Sequence, residues 1–339
     1  MKKMIILILT IVILSINYLP AGDVAKIGTV AGTQLLIPVG ARSISLGGAV
    51  VSNVKGAEAM YWNPAGMSFS TKSELLFSSM QYIADINVNY IAGVFNGRNI
   101  GSFGLQIKSI SFGEIEETTV LEPEGTGNTY SPTYTVFGLS YSRMLTDRIT
   151  AGVTGKYVFE SIMQTNASTI AVDMGIQYAF SPHLRMGVTL MNLGGKMQFN
   201  GRNLEYTGQI YGGPPTADNG YFRAIPLANE IPSIFSFGFS YVLNVAEMNS
   251  LEMTGSFANM NESSDQLYGG LEYGFKDFFF LRGGYLYNLQ SSDESIFGLS
   301  AGLGIKYSLG NMDFYFDYAY RQLTDYFDAN NIFTVKFAL

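Results

Sequence analysis

Apolar residues alternate one for one with small or polar residues along almost the whole chain. Over residues 170–180, Ile170, Val172, Met174, Ile176, Tyr178 and Phe180 fall on one side, with Ala171, Asp173, Gly175, Gln177 and Ala179 on the other. Over 297–309, Phe297, Leu299, Ala301, Leu303, Ile305, Tyr307 and Leu309 oppose Gly298, Ser300, Gly302, Gly304, Lys306 and Ser308. Successive side chains of a strand point to opposite faces, so a period of two sustained this long specifies β-structure. Fourteen such segments are predicted, near 74–82, 87–97, 100–111, 131–145, 148–162, 167–180, 183–193, 231–244, 248–257, 265–275, 278–288, 295–309, 312–322 and 330–339. Many exceed the ~5–6 residues of a typical globular strand and match the ~9–11 residues of a tilted membrane-crossing strand.

The connections add a second regularity. Asn96-Gly97-Arg98-Asn99, Leu145-Thr146-Asp147, Phe180-Ser181-Pro182-His183, Phe275-Lys276-Asp277 and Leu309-Gly310-Asn311 read as tight turns. They alternate with longer links at 112–130, 194–230, 258–264, 289–294 and 323–329. Short turns at one end and long loops at the other are the up-and-down pattern of an outer-membrane barrel.

Composition separates this barrel from a soluble β-sandwich. Charged residues make up 14% of the chain, against roughly 25% in a soluble domain, while aromatics also reach 14%. A sandwich would carry Lys, Glu and Thr on its outer face. Here the less apolar face is instead Gly, Ser and Ala, which weakens a soluble sheet but suits a wall closing around a filled lumen. Tyr285, Tyr287, Tyr318 and Tyr320 lie near strand ends, as in interfacial aromatic girdles. The last strand, with Phe333, Val335, Phe337 and Leu339 on one face, resembles the terminal strand read by the outer-membrane insertion machinery, although it ends in Leu.

Residues 1–21 read as an export signal: Lys2 and Lys3, an apolar run from Met4 to Ile16, and Leu19-Pro20-Ala21 as the cleavage region. The run is too short to cross a bilayer as a helix. There is no Cys and one His, His183, in a turn expected to be solvated. Disulfides, thiolate metal sites and Cys nucleophiles are thereby excluded. A net charge of -7 argues against nucleic acid as a partner. Glu114, Glu116, Glu117, Glu122 and Glu124 form an acidic loop read as a solvated surface and not as a cation site. The chain is therefore expected to be non-enzymatic, with no cofactor and no metal.

Residues 28–70 do not alternate, and they are too apolar to float in water. A segment preceding the first strand can fold into the lumen, so 22–72 is predicted to form an N-terminal plug or hatch ahead of a barrel over 73–339. Within it, Ala57 to Trp62 favours helix, and Asn63-Pro64 ends it because a residue before Pro is pushed out of the helical region.

The motif over 40–68, GARSISLGGAVVSNVKGAEAMYWNPAGMS, resembles the N-terminal signature of the PorV/PorQ family, which is similar to FadL-type outer-membrane barrels. The matching residues are Gly40, Ala41, Arg42, Gly47, Gly48, Ala49, Tyr61, Trp62, Asn63, Pro64, Ala65 and Gly66. The resemblance implies an all-β, 14-stranded antiparallel transmembrane barrel with an N-terminal hatch in its lumen. Where that family often has an acidic pair, this chain has Lys55-Gly56, so no role for such carboxylates carries over.

Arg42 lies in apolar sequence and needs a lumen carboxylate, because an unpaired buried charge is costly. Asp173, Glu272, Asp313 and Asp317 are its candidate partners on inward faces. The remaining charges placed in the lumen are Lys108, Lys156, Glu160, Arg185, Arg282, Lys306 and Lys336. Trp62 reads as a packing anchor.

The resemblance implies a role in type IX secretion, in which an outer-membrane barrel receives exported cargo and escorts it from the translocon. Partners would be membrane lipid, translocon and cargo. The links 112–130 and 194–230 would form the recognition surface, the latter carrying Tyr206, Tyr211, Pro214, Pro215, Tyr221, Phe222 and Pro226. The alternative expectation is FadL-like passive passage of hydrophobic small molecules or fatty acids. That role needs an apolar loop groove and a kinked wall strand.

Overall fold

The computed structural model describes residues 28–84, 86–209, 219–246, 248–289, 296–323 and 327–339. The expected export signal, and Tyr211, Pro214 and Pro215, lie outside these residues. Fourteen long strands make the wall. They are β1 (Glu74–Gln81), β2 (Asn87–Asn96), β3 (Ser102–Ser111), β4 (Thr133–Met144), β5 (Ile149–Ile162), β6 (Thr165–Ala179) and β7 (Leu184–Gly194). The second half is β8 (Ile234–Ala246), β9 (Asn249–Met260), β10 (Gln266–Phe275), β11 (Phe279–Asn288), β12 (Phe297–Leu309), β13 (Met312–Leu323) and β14 (Asn330–Ala338). Each pairs antiparallel with its neighbours in sequence, and β1 pairs with β14 from Glu74↔Ala338 to Gln81↔Asn331, which closes the barrel. Closure removes every free edge, so the backbone groups of the wall are paired within it.

The period of two is a division between two solvents. In β1, Leu75 and Phe77 face outward and are exposed, whereas Leu76 and Met80 face inward and are buried. Outward Leu105, Leu139, Ile170 and Phe333 are likewise exposed, as lipid contact requires. No helix among the described residues is long and apolar enough to cross a membrane.

Three features depart from the sequence expectation, one of them Phe297, which leaves the outward face of Leu299 and Leu303 for the lumen where the β12–β13 register shifts between Phe297 and Ser300. Long links gather at one end of the barrel, but β5 and β6 are joined there by a turn containing only Met163 and Gln164, with Met163 at φ 51°. These two strands extend beyond their neighbours. Asn200–Gly201 pairs onto the tip of β6, and Arg202 N donates to Gln164 O at 3.2 Å. The third departure is a bulge in β7. The β6–β7 register shifts between Val172↔Leu193 and Met174↔Leu190, with Asn192 at φ 58°. Asp173 Oδ1 accepts from Asn192 N at 2.7 Å, and Lys156 bridges the pair by ion-pairing with Asp173 and donating to Asn192 Oδ1 at 2.8 Å. A bulge adds twist and re-aims the chain. Here it comes just before the link 195–233 and turns buried Met191 toward the barrel interior.

Candidate functional site

The segment before β1 runs against inward residues on nearly every side of the wall. It comprises short helical turns at Thr33–Leu36, Ala41–Ser45, Gly56–Glu58, Ala59–Trp62 and Pro64–Phe69. Asn63 is extended at φ -158°, and this ends the helix before Pro64. Its side chain is fully buried and ties three pieces of chain together. Nδ2 donates to Val51 O at 2.8 Å and to Ile176 O of β6 at 3.3 Å, while Oδ1 accepts from Ala65 N at 3.2 Å. Ala65 O in turn accepts from Ser142 Oγ of β4 at 3.0 Å. On the opposite wall, Ala41 N donates to Thr334 Oγ1 of β14 at 2.9 Å.

Inward glycines make this proximity possible. A Cβ on Gly284 of β11 would collide with the backbone of Leu46 and Gly47, and one on Gly187 of β7 with Val51. Gly47 and Gly48 themselves turn at φ 67° and 90°, beside buried Ala49. Gly40, at φ 87°, leaves no room for a side chain next to Glu58, and Gly66 is pressed against Val54 O. The Gly- and Ala-rich face that a soluble sheet would waste is thus the face met by other backbone.

Charges on the inner wall are organised into pairs. Arg42 Nε donates to Glu272 Oε2 at 3.0 Å, and Nη2 reaches Glu252 Oε2 at 3.3 Å. Arg282 bonds both Glu272 and Asp317, so a ladder runs Glu252–Arg42–Glu272–Arg282–Asp317. Burial works against the Arg42 charge, but the carboxylates of Glu272, Glu252 and Glu58 outweigh it and hold its pKa above the ordinary value. Glu58 shows the opposite balance: burial raises its pKa, with Arg42 and the Ser43 N–H only partly compensating.

Of the other candidate partners of Arg42, Asp173 pairs with Lys156, and Asp313 pairs with Lys72 at 2.8 Å at the short-turn rim. Lys306 also lies toward that rim, bonded to exposed Asp277. Lys336 approaches Glu74 at 3.8 Å, Lys108 donates to Ile37 O at 2.6 Å, and Arg185 covers the Phe69 ring. Glu160 is buried. His183 is exposed in its turn, with Nδ1 3.0 Å from Val242 O.

Between this segment and the long-loop end lies a cavity of about 580 Å³. Its lining is largely apolar and rich in rings, among them Trp62, Tyr82, Phe112, Tyr268 and Phe297. Trp62 packs edge-on against Tyr61 and donates from Nε1 to Val39 O at 3.0 Å, which fixes the indole as part of the wall. Sequence reasoning did not single out Arg321, which also lines the cavity, nor Glu252 in the ladder. The signal for Arg321 was present: it shares the inward face of β13 with Asp317 and Ala319.

The long links carry structure of their own. Ile115–Glu116 pairs with Thr129–Tyr130, and Glu205–Gly208 pairs with Gly220–Arg223, where Tyr206 stacks on Phe222 at 5.6 Å. Their tips expose large apolar side chains: Val120 is 99% exposed, Leu121 92%, Tyr221 87% and Leu227 85%.

Comparison with known proteins gives two findings. The sequence family described as "Type IX secretion system protein PorV" matches residues 21–208. Among solved structures, the Pseudomonas putida toluene transporter TodX aligns with a TM-score of 0.57 at 13% identity, covering 89% of this chain and 98% of that one. The Ralstonia pickettii toluene transporter TbuX aligns at 0.54 and 14% identity, covering 89% and 97%. The CymD monoaromatic hydrocarbon channel aligns at 0.55 and 12% identity, again covering 89% and 97%. At these identities the likeness is one of fold. No curated protein matches the chain.

Proposed function

This chain belongs to the PorV family of type IX secretion system proteins, and from that premise we propose that it is an outer-membrane recognition barrel that receives exported cargo and hands it on from the translocon. The segment before β1 acts as a plug, so the barrel works through its rim and not as an open pore. The observation that carries the reading is the uncovered apolar surface at the long-loop end. Val120, Leu121, Tyr221 and Leu227 stand exposed in the long links. Large exposed apolar groups ringed by polar loop residues mark protein-binding surfaces. The reading assigns no catalysis.

The test is recovery from detergent-solubilised outer membrane. The wild-type barrel is expected to bring down a large translocon or exported cargo. A variant with Val120, Leu121, Tyr221 and Leu227 all replaced by Ser is expected to come down alone. Recovery of only the monomeric wild-type barrel overturns the proposal.

A second reading, passage of hydrophobic small molecules, has its own support in the ring-lined cavity. Its volume lies within the ~300–1,000 Å³ of small-molecule sites. The TodX, TbuX and CymD structures share this fold and are described as toluene transporters or a hydrocarbon channel. Solvent extraction of the purified barrel is expected to release a bound apolar compound, and an empty extract counts against this reading.

A further inference from the structure

The cavity lining contains one charged residue, Arg321, among the described residues. Arg321 is 8% exposed. Its guanidinium lies face-on over Phe297, with Cζ 3.5 Å from the ring centroid. No Asp or Glu among the described residues is within ion-pair distance of it, in contrast to the paired Arg42 and Arg282 deeper in the lumen. Nη1 is buried with no hydrogen-bond partner. Stacking satisfies the face of the cation but not the N–H groups at its edge. A lone cation kept in an apolar chamber is costly unless something supplies the missing charge.

The shape of the guanidinium says what that is. Its in-plane N–H groups match the two oxygens of a carboxylate. There is one cation, so a monoanion balances it, and a doubly charged phosphate would bring in excess negative charge. Around it stand Trp62, Tyr82, Phe112, Tyr134 and Tyr268, rings that favour edge-to-face or offset contacts with another ring. We propose that this cavity binds a small aromatic monocarboxylate, its ring among these side chains and its carboxylate on Arg321. A neutral hydrocarbon fills the same space but leaves Arg321 unpaired. The proposal rests on reading the cavity as a ligand chamber and adds the charge and ring character of the ligand.

Trp62 is the only Trp in the chain and lines the cavity, so its fluorescence reports on this site. The probes are a brominated naphthoate and its neutral amide, titrated into the full barrel in uncharged detergent. The acid is expected to quench Trp62 saturably and to bind about tenfold more tightly than the amide, the worth of one charged hydrogen-bonded contact. Arg321→Gln is expected to remove that advantage, so that acid and amide bind alike. Equal affinity of acid and amide in the wild type overturns the role of Arg321, whether or not the variant folds, and leaves the chamber standing. A brominated straight-chain alkanoate of equal carbon number that binds as tightly as the naphthoate overturns the ring preference. Absence of saturable quenching by either naphthyl probe overturns both the proposal and the chamber.

Discussion

Arg42 Nε lies 3.0 Å from Glu272 Oε2 and joins a helical turn of the N-terminal segment to wall strand β10. The same guanidinium reaches Glu252, which has no other ion pair among the described residues. Replacing Arg42 with Met leaves Glu252 unpaired in the lumen, while Glu272 keeps Arg282. Removing one partner of a buried pair costs about 3 kcal/mol at the low end. Denaturant unfolding of Arg42→Met is expected to show that loss, and Arg42→Met with Glu252→Gln is expected to recover more than half of it. A loss under about 1 kcal/mol, as for an exposed pair, would show that lumen water screens the network.

Gly284 tests the backbone contact between wall and segment. Gly284→Val places side-chain atoms where the Leu46 and Gly47 backbone now lies. Overpacking of this kind costs about 1–3 kcal/mol. Because a backbone cannot rotate away, the segment itself must move. The emission of Trp62 is expected to shift to the red and the segment to become more susceptible to protease. Gly283→Val is the control: the neighbouring glycine meets only Ser300 O, at 3.9 Å, so neither readout is expected to change. Equal behaviour of the two variants would remove the argument for close packing.

Glu262, in the loop between β9 and β10, is 4% exposed and neither carboxylate oxygen has a hydrogen-bond partner. Burial pushes its pKa up to about 7 from 4.5. The folded state therefore holds this proton more tightly than the unfolded state. Its contribution to stability is complete below pH 4.5 and is lost as pH rises through about 7. Glu262→Gln keeps the shape without the charge. Unfolding midpoints measured across that window are expected to fall with pH in the wild type and to stay level in the variant. A variant that keeps the wild-type slope would place the titration elsewhere.

The strands were legible because each lies between two different environments, and alternation records that difference residue by residue. Leu75, Phe77, Leu105 and Ile170 face outward, as the pattern requires. The same alternation put Glu272 on the inner face, where it meets Arg42, and put Asp173 and Asp317 there for other partners. Register was not legible. The bulge at Asn192 depends on how β6 and β7 pair, and the pattern of one strand does not carry that information. The roles of Glu252 and Arg321 were not legible for a related reason: they come from side chains on other elements that meet them, not from their neighbours in sequence. The Phe297 ring beneath Arg321 belongs to another strand.

The proposed plug is open to direct test. Asn63, Ala65 and Ala41 anchor the segment to β6, β4 and β14, at separated positions around the wall. A segment tied at several points across a lumen blocks ions, whereas one lying along a single side leaves a path. Deleting residues 28–70 from the barrel is expected to convert a closed channel in a planar bilayer into one with steady single-channel conductance. Asn63→Ala, which removes the bonds to Val51, Ile176 and Ala65 while leaving the chain in place, is expected to give brief openings instead. Conductance that is the same in the wild type and the deletion would show that the segment does not seal the lumen. The recognition surface at the rim would then have to work beside an open pore.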